Sequence, residues 1–233
     1  MRKNLFKKCI YLSLLATLLF VPGAFADQIT INQVSGYYSG SGGEFNITPD
    51  SGLSWVLNNY AGSTKVGSGF ESFCLEAKEY VTMGGTYNYA ISDKAINGGV
   101  GSDGDIISVG TAWLYSEFAR GTLSNYDYTA GSRMASAQAL QEAIWYLEGE
   151  ISISKPLTNT FLAMVIAKFG DLDAAKTNNS NGGYGVKVLN LTTTTPDGSL
   201  AQDQLVYVPE PTTLLLLGVA LAGFAGLRRK FQM

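Results

Sequence analysis

Thr86-Tyr87-Asn88-Tyr89-Ala90-Ile91 alternates, which puts Tyr87, Tyr89 and Ile91 on one face of a strand. Further along, Ser132 to Glu148 changes to a helical period and runs into Gly149. That switch decides the fold. Upstream, Ile29 to Val34, Glu44 to Ile47, Ser54 to Leu57 and Phe73 to Val81 read as short strands. Ile106 to Arg120 and Asn159 to Phe169 read as two further helices, stopped by Gly121 and Gly170, each glycine suited to the left-handed residue that closes a helix. Strands return at Tyr184 to Leu191 and Gln204 to Val208, after an Asn/Gly-rich stretch from Thr177 to Gly183 that reads as an exposed loop. The order predicts an α+β domain, a β-sandwich-like module carrying a helical insert.

The two ends carry different information. Arg2, Lys3, Lys7 and Lys8 precede an apolar run from Ile10 to Val21 and the small-residue site Ala24-Phe25-Ala26, the layout of a secretory signal peptide. A mature chain beginning at Asp27 is expected; a retained membrane helix is the alternative. Cys9 lies on the wrong side of the apolar run to anchor a lipid.

At the other end, Pro209 and Pro211 flank Glu210 and keep the backbone extended, because each fixes φ and disfavours the helical region for its predecessor. Leu214 to Leu227 follows as an apolar run, shorter than the roughly 20 residues that span a bilayer unaided. Spanning therefore draws in Thr212 and Thr213 and lets Arg228, Arg229 and Lys230 snorkel. Positive charge after the run predicts a cytoplasmic terminus and everything before it outside. An ordinary single-span anchor is the alternative. Taken together, Pro209-Glu210-Pro211, the transmembrane helix and the basic end resemble the PEP-CTERM sorting signal of exopolysaccharide-producing Gram-negative bacteria. The resemblance implies an exosortase as partner, an inner-membrane-anchored precursor, and a mature product at the cell surface or in the extracellular biofilm matrix. The expected organisation is a signal peptide at 1–26, an extracellular domain at 27–208 and a sorting tail at 209–233.

Without its ends the chain changes character. Losing Arg2, Lys3, Lys7, Lys8, Arg228, Arg229, Lys230 and Glu210 takes the balance from 16 basic and 19 acidic residues to 9 and 18. So acidic a surface disfavours nucleic acid and anionic lipid as partners. The remaining domain, about 180 residues, is long enough to bury a core. Its 27 glycines, 13 tyrosines and 11 phenylalanines, counted over the whole chain, suit a β-rich extracellular module with many turns.

The chain has no histidine, which excludes Ser-His-Asp and Cys-His catalysis and imidazole metal sites. One cysteine remains after processing, so disulfide and cysteine-zinc frameworks are excluded too. Gly99-Val100-Gly101-Ser102-Asp103-Gly104 matches a dinucleotide fingerprint but lacks the surrounding βαβ pattern and reads as a turn. Asp103 and Asp105 read as caps for the following helix rather than as calcium ligands. Glu76 and Glu79 form a carboxylate pair of the kind that any acidic surface supplies. No metal, cofactor or catalytic group is expected, and the protein is not expected to be an enzyme.

Cys74 and Gln141 stand out. A lone thiol in an exported protein calls for an explanation, and burial, pairing with another chain or accident are the plain ones. Gln141 falls on the helix face of Met134, Ala137 and Trp145, with Ile144 alongside, where an unpartnered amide would cost on the order of 1–3 kcal/mol. A buried glutamine bonded to backbone, or a surface helix, would answer that. Phe73-Cys74-Leu75-Glu76 followed by Gln141-Glu142-Ala143-Ile144-Trp145 resembles the thioester domains of bacterial surface adhesins, over roughly Gly67 to Tyr146. The resemblance implies an internal thioester between Cys74 and Gln141, sheltered by Phe73, Trp145 and Tyr146, with Glu142, Tyr87 or Tyr89 as aids to proton transfer. It further implies adhesion by covalent attachment to an amine or hydroxyl on a surface or matrix partner. The other reading is a non-covalent module that binds matrix or polysaccharide through tyrosine and tryptophan, with Cys74 a core residue.

Overall fold

The computed structural model describes residues 27–40, 42–96 and 104–209. Strands β1 (Gln28–Asn32), β2 (Phe45–Pro49), β3 (Lys65–Val66), β4 (Gly69–Ser72) and β5 (Gly85–Ser92) precede a two-stranded ribbon of β6 (Lys94–Ala95) and β7 (Asp105–Ile106). Helices α1 (Val109–Ala119), α2 (Arg133–Leu147), α3 (Thr160–Phe169) and α4 (Leu172–Ala175) follow, then β8 (Val186–Thr193) and β9 (Leu200–Tyr207). The large sheet has the order β3-β4-β2-β1-β5-β8-β9 and is antiparallel throughout. Mixed α+β character is thus as expected, with the helices inserted between β7 and β8.

The expected sandwich is corrected to one sheet that curls until its ends meet. Residues 73–75 run on from β4 and bond β9 at the far edge: Leu75 N–H donates to Asp203 O at 3.1 Å, and Leu205 N–H to Phe73 O at 3.0 Å. A buried tyrosine pair staples the seam from inside. The Tyr115 hydroxyl on α1 lies 2.9 Å from that of Tyr60 and 3.1 Å from both Glu71 O and Leu205 O. The seam pairs backbone groups at 73–75 and 203–205 that would otherwise be open to another chain.

Helix α1 is buried on nearly every face, with Leu114, Tyr115, Phe118 and Ala119 inaccessible. It is a core helix rather than a surface one, which is why its sequence shows little amphipathic contrast. Ser108, not Asp105, caps it: the Ser108 hydroxyl accepts from Thr111 N–H at 3.1 Å, so the helix starts at Val109, and Asp105 belongs to β7. Gly121, Gly149 and Gly170 all have positive φ just past their helices, the closure expected of them.

Two expected strands are absent as drawn. Ser54 to Leu57 belongs to a short 3₁₀ helix (Ser54–Asn59), because the Asp50 carboxylate accepts from Gly52 N–H and Leu53 N–H and starts a turn. Phe73 to Val81 is not a strand either. Beyond 75 the chain turns away, with Glu76 held by Asp203 N–H and Ala77 N–H held by Glu150. The alternating face of β5 is buried only at Tyr87; Tyr89 is half-buried and Ile91 exposed. Thr177 to Gly183 is mostly exposed, but Asn179 is buried and pins it, donating from its backbone to Ile107 O and from its side chain to Gly183 O.

Candidate functional site

The β2–β4 ladder pairs Phe45 with Ser72, Asn46 with Glu71 and Ile47 with Phe70, a register that continued two steps would pair Gly43 with Cys74. There the ladder opens and the Gln141 side chain enters from α2. Gly43 N–H donates to Gln141 Oε1 at 2.9 Å, and Gln141 Nε2 donates to Cys74 O at 2.8 Å. The amide thus replaces the direct bond that two strands would have made, and satisfies buried backbone groups on both sides. Its orientation is fixed, since Oε1 meets donors and Nε2 meets a carbonyl.

Cys74 N–H also donates to Oε1, at 3.3 Å, and the thiol sulfur lies 3.3 Å from the same oxygen. One carbonyl oxygen therefore accepts from two backbone N–H groups and from the Cys74 thiol. Two N–H groups aimed at one oxygen could also hold negative charge developing on it. Glycine makes it possible. A Cβ at Gly42 would sit 2.5 Å from Gln141 Cγ, and one at Gly43 2.7 Å from the Phe73 ring and 2.9 Å from Ser72 O.

Cys74 and Gln141 are buried. Burial first, and then the charge of Glu76, push the Cys74 thiol well above its ordinary range, while the Trp145 indole N–H acts in the opposite direction. Trp145 Nε1 is itself buried and meets no hydrogen-bond acceptor among the described residues. Glu76 is raised by burial and by Asp203, whose N–H its carboxylate accepts at 2.7 Å; its other oxygen has no partner. Burial therefore favours the neutral thiol over the thiolate at Cys74.

A cavity of about 190 Å³ leads to the amide, lined by Ser39, Gly40, Gly42, Gln138, Glu142 and Trp145. Gln138 Nε2 donates to Glu142 at 3.0 Å and Ser39 donates to Gln138 at 3.2 Å, which gives the cavity a polar rim. The structure therefore brings Cys74, Gln141, Glu142 and Trp145 together. Phe73 lies behind them, its ring edge-on to Phe118 at 5.0 Å. Three other named residues do not join the cavity. Tyr146 packs under Lys176, the Tyr87 hydroxyl accepts from Thr82 N–H, and Tyr89 lies by Asp50 and Asp27. Met134, placed by helical period on the Gln141 face, is exposed.

Sequence reasoning missed the partners of the amide. Gly42-Gly43 supplies the space and one of the donors; a glycine doublet directly ahead of a strand was the available signal. It also missed the clamp beside them. The Glu44 carboxylate holds Arg133 at 2.5 Å through both oxygens, accepts from the Tyr126 hydroxyl at 2.6 Å, and is fully buried. Arg133 also donates to Ser63 O at 2.8 Å and lies 4.1 Å over the Tyr37 ring. Neighbouring residues 43 and 44 thereby grip α2 at two points, Gln141 and Arg133.

Pro209 is the last described residue, directly after β9. Residues 208–230 match the PEP-CTERM protein-sorting motif. The motif supports an exported protein sorted by an exosortase from a membrane-anchored precursor. No curated protein and no solved structure matches the chain. Glu210, Pro211, the apolar run, Arg228, Arg229 and Lys230 lie outside the described residues, as do the predicted signal peptide and residues Gly99 to Asp103 of the turn. Among the described residues no helix is long and apolar enough to cross a membrane.

Proposed function

We propose that residues 27–208 form an exported domain whose Cys74 and Gln141 condense to an internal thioester, used once to attach the protein covalently to an amine or hydroxyl of a surface or matrix partner. The observation that carries this reading is the carbonyl of Gln141, held by Gly43 N–H and Cys74 N–H with the Cys74 sulfur 3.3 Å from its oxygen.

In the condensation the sulfur adds to Gln141 Cδ while the two N–H groups hold the developing charge on Oε1. The thiol proton passes to Nε2, the carbon–nitrogen bond breaks, and ammonia leaves. Holding the reactants in one buried slot replaces an encounter by a positioned step. The product keeps both donors on its oxygen. It loses the Nε2 bond to Cys74 O, and it converts an oxidisable thiol into an acyl sulfur. A partner amine or hydroxyl entering through the 190 Å³ cavity would then attack the same carbon, expel the sulfur as a thiol, and remain bound as an amide or ester. Each molecule acts once and is not regenerated, so the protein is not an enzyme, and no cofactor takes part. The role this gives it is adhesion within a surface or biofilm matrix.

The test is the intact mass of freshly purified, unheated protein. It is expected to be lighter than its sequence by one ammonia, and methylamine is expected to add its own mass at Gln141 while exposing one titratable thiol. Full sequence mass with a thiol count indifferent to methylamine would overturn the thioester and favour a non-covalent binding module, for which the exposed Trp55 and Tyr80 are the available contacts.

A further inference from the structure

A second cavity, of about 230 Å³, lies next to the one that leads to Gln141, and the two share Gly40. Gln33 lines the second and donates from Nε2 to Gly42 O at 3.2 Å, so an amide of one cavity holds the backbone of the other. Gln202 enters from β9; it is buried, and its Nε2 donates to Glu76 O at 2.7 Å. Both amides are therefore fixed by nitrogen on backbone, and neither Oε1 takes a hydrogen bond from a described residue. Phe45 and Val81 add apolar wall, and Tyr80 brings a ring that is 73% exposed.

So exposed a ring adds little to the core, yet the loop that carries it is pinned to three strands. Gln202 N–H donates to Tyr80 O at 3.4 Å, Thr82 N–H to the Tyr87 hydroxyl at 2.6 Å, and Gly84 N–H to Ile31 O at 2.7 Å. A ligand thus meets a ring whose backbone is already ordered, which lowers the entropy lost on binding.

The lining selects the chemistry of that ligand. No charged side chain among the described residues lines the cavity, so neither a cation nor an anion finds a counter-charge there. The acidic balance of the domain, 18 acidic against 9 basic residues, further repels polyanions. A purely apolar guest would leave the two amide oxygens without donors, at a cost for each that is buried. Hydroxyl groups would satisfy them, and the face of Tyr80, negative at its centre, suits the C–H face of a sugar ring.

We propose that this cavity is a docking subsite for a neutral oligosaccharide, held by Tyr80, Gln33 and Gln202. Binding is independent of the thioester. Its use in attachment rests on the thioester reading: a hydroxyl of the docked sugar attacks Gln141 Cδ, the carbon–sulfur bond breaks, the hydroxyl proton passes to the sulfur, and an ester and a free Cys74 thiol remain.

The test is calorimetric titration of the mature protein bearing Cys74→Ala, in which no thioester can form. The probes are oligomers of β-1,4-glucose, α-1,4-glucose and β-1,4-N-acetylglucosamine, with oligoguluronate as the anionic control. At least one neutral oligomer is expected to bind and the anionic one is not. Tyr80→Ala should weaken binding about tenfold or more, whereas Tyr80→Phe, which keeps the ring, should stay within about threefold. Trp55→Ala, an exposed aromatic outside the cavity, should change nothing. No binding by any neutral oligomer, equal binding of oligoguluronate, or full binding by Tyr80→Ala would overturn the subsite. In the wild-type protein, the oligomer that binds is expected to add its mass as a hydroxylamine-labile ester. Binding without that gain, in protein that shows the ammonia deficit, would overturn delivery of the hydroxyl; protein without the deficit would overturn the thioester reading, and delivery with it, while leaving the subsite intact.

Discussion

Two buried polar clusters join the sheet to helix α2, and they start from adjacent residues. Glu44 binds Arg133 through a bidentate ion pair, and Gly43 binds Gln141 through a backbone N–H. In the first, both carboxylate oxygens and several guanidinium donors have partners, so the charge is compensated and nothing remains to react. In the second, one carbonyl oxygen receives two N–H donors and has a sulfur beside it, while the nearby Trp145 Nε1 has no acceptor. The same wall and the same helix therefore hold one clamp closed by an ion pair and one at which the proposed thioester would form. Partnering, not burial, separates structure from chemistry here.

The largest test of that contrast is all-or-none. Cys74→Ala and Gln141→Ala should each abolish the ammonia deficit and the methylamine-dependent thiol, as read by intact mass and thiol titration. Their stabilities should differ. Cys74→Ala leaves the backbone at 74 that the Gln141 amide holds, whereas Gln141→Ala strands Gly43 N–H, Cys74 N–H and Cys74 O, each worth about 1–3 kcal/mol when buried unpaired. Urea unfolding should rank Gln141→Ala clearly below Cys74→Ala, and equal midpoints would break the account of the amide as a ladder member.

On the structural side, Arg133→Ala leaves Glu44 charged and unpaired in the interior, which should cost about 3–5 kcal/mol in denaturant unfolding. A loss under about 1 kcal/mol would mean the clamp is not holding α2.

Next in size is a pH effect close to that clamp. Glu71 is buried, with one oxygen on Asn46 and the other without a partner, and its pKa is pushed up to about 7 by burial first and by the charge of Glu44 second. A folded pKa above the ordinary 4.5 means the native state holds the proton more tightly. The stabilisation is full below pH 4.5 and is lost as pH rises through about 7. Glu71→Gln should therefore remove about 2–3 kcal/mol of the stability lost between pH 5 and pH 8, measured by unfolding at each pH. Glu148, also raised to about 7 by burial, keeps a slope of its own, so the variant's profile should flatten without becoming level. An unchanged profile would show that Glu71 does not titrate there.

The smallest effect belongs to Gln138, one turn from Gln141 on the exposed rim. Gln138→Ala loses contacts to Ser39 and Glu142 only, so stability should move by no more than about 0.5 kcal/mol and the ammonia deficit should persist. Loss of the deficit in this variant would place the rim, rather than the buried slot, in control of the reaction.

How much of this was legible in advance depended on the range of the interactions involved. The three helices and their glycine stops were readable because helical period and left-handed closure are local properties. Ser54 to Leu57 was misread because its apolar content fits strand or turn equally, and the deciding group, the Asp50 carboxylate, sits just outside the segment. Phe73 to Val81 was misread because its extended part is held by residues far along the chain, Asp203 and Leu205. Cys74 and Gln141 could be picked out as chemical oddities, a lone thiol and an amide on an apolar face. Gly42 and Gly43 could not be joined to them, since no local pattern ties a glycine doublet to a helix nearly one hundred residues later.

The sequence by itself determined the helices, the strand-rich flanks, the acidic domain between basic ends and the sorting motif at 208–230, all of which rest on composition or short-range order. Tertiary structure alone decided that the sheet closes on itself, that Arg133 is buried on Glu44, and that the Gln141 amide sits where Gly43 and Cys74 would have paired. Those are matters of register and closure. They depend on which distant backbone groups are left without partners once the sheet has curled, a quantity that no window of sequence contains.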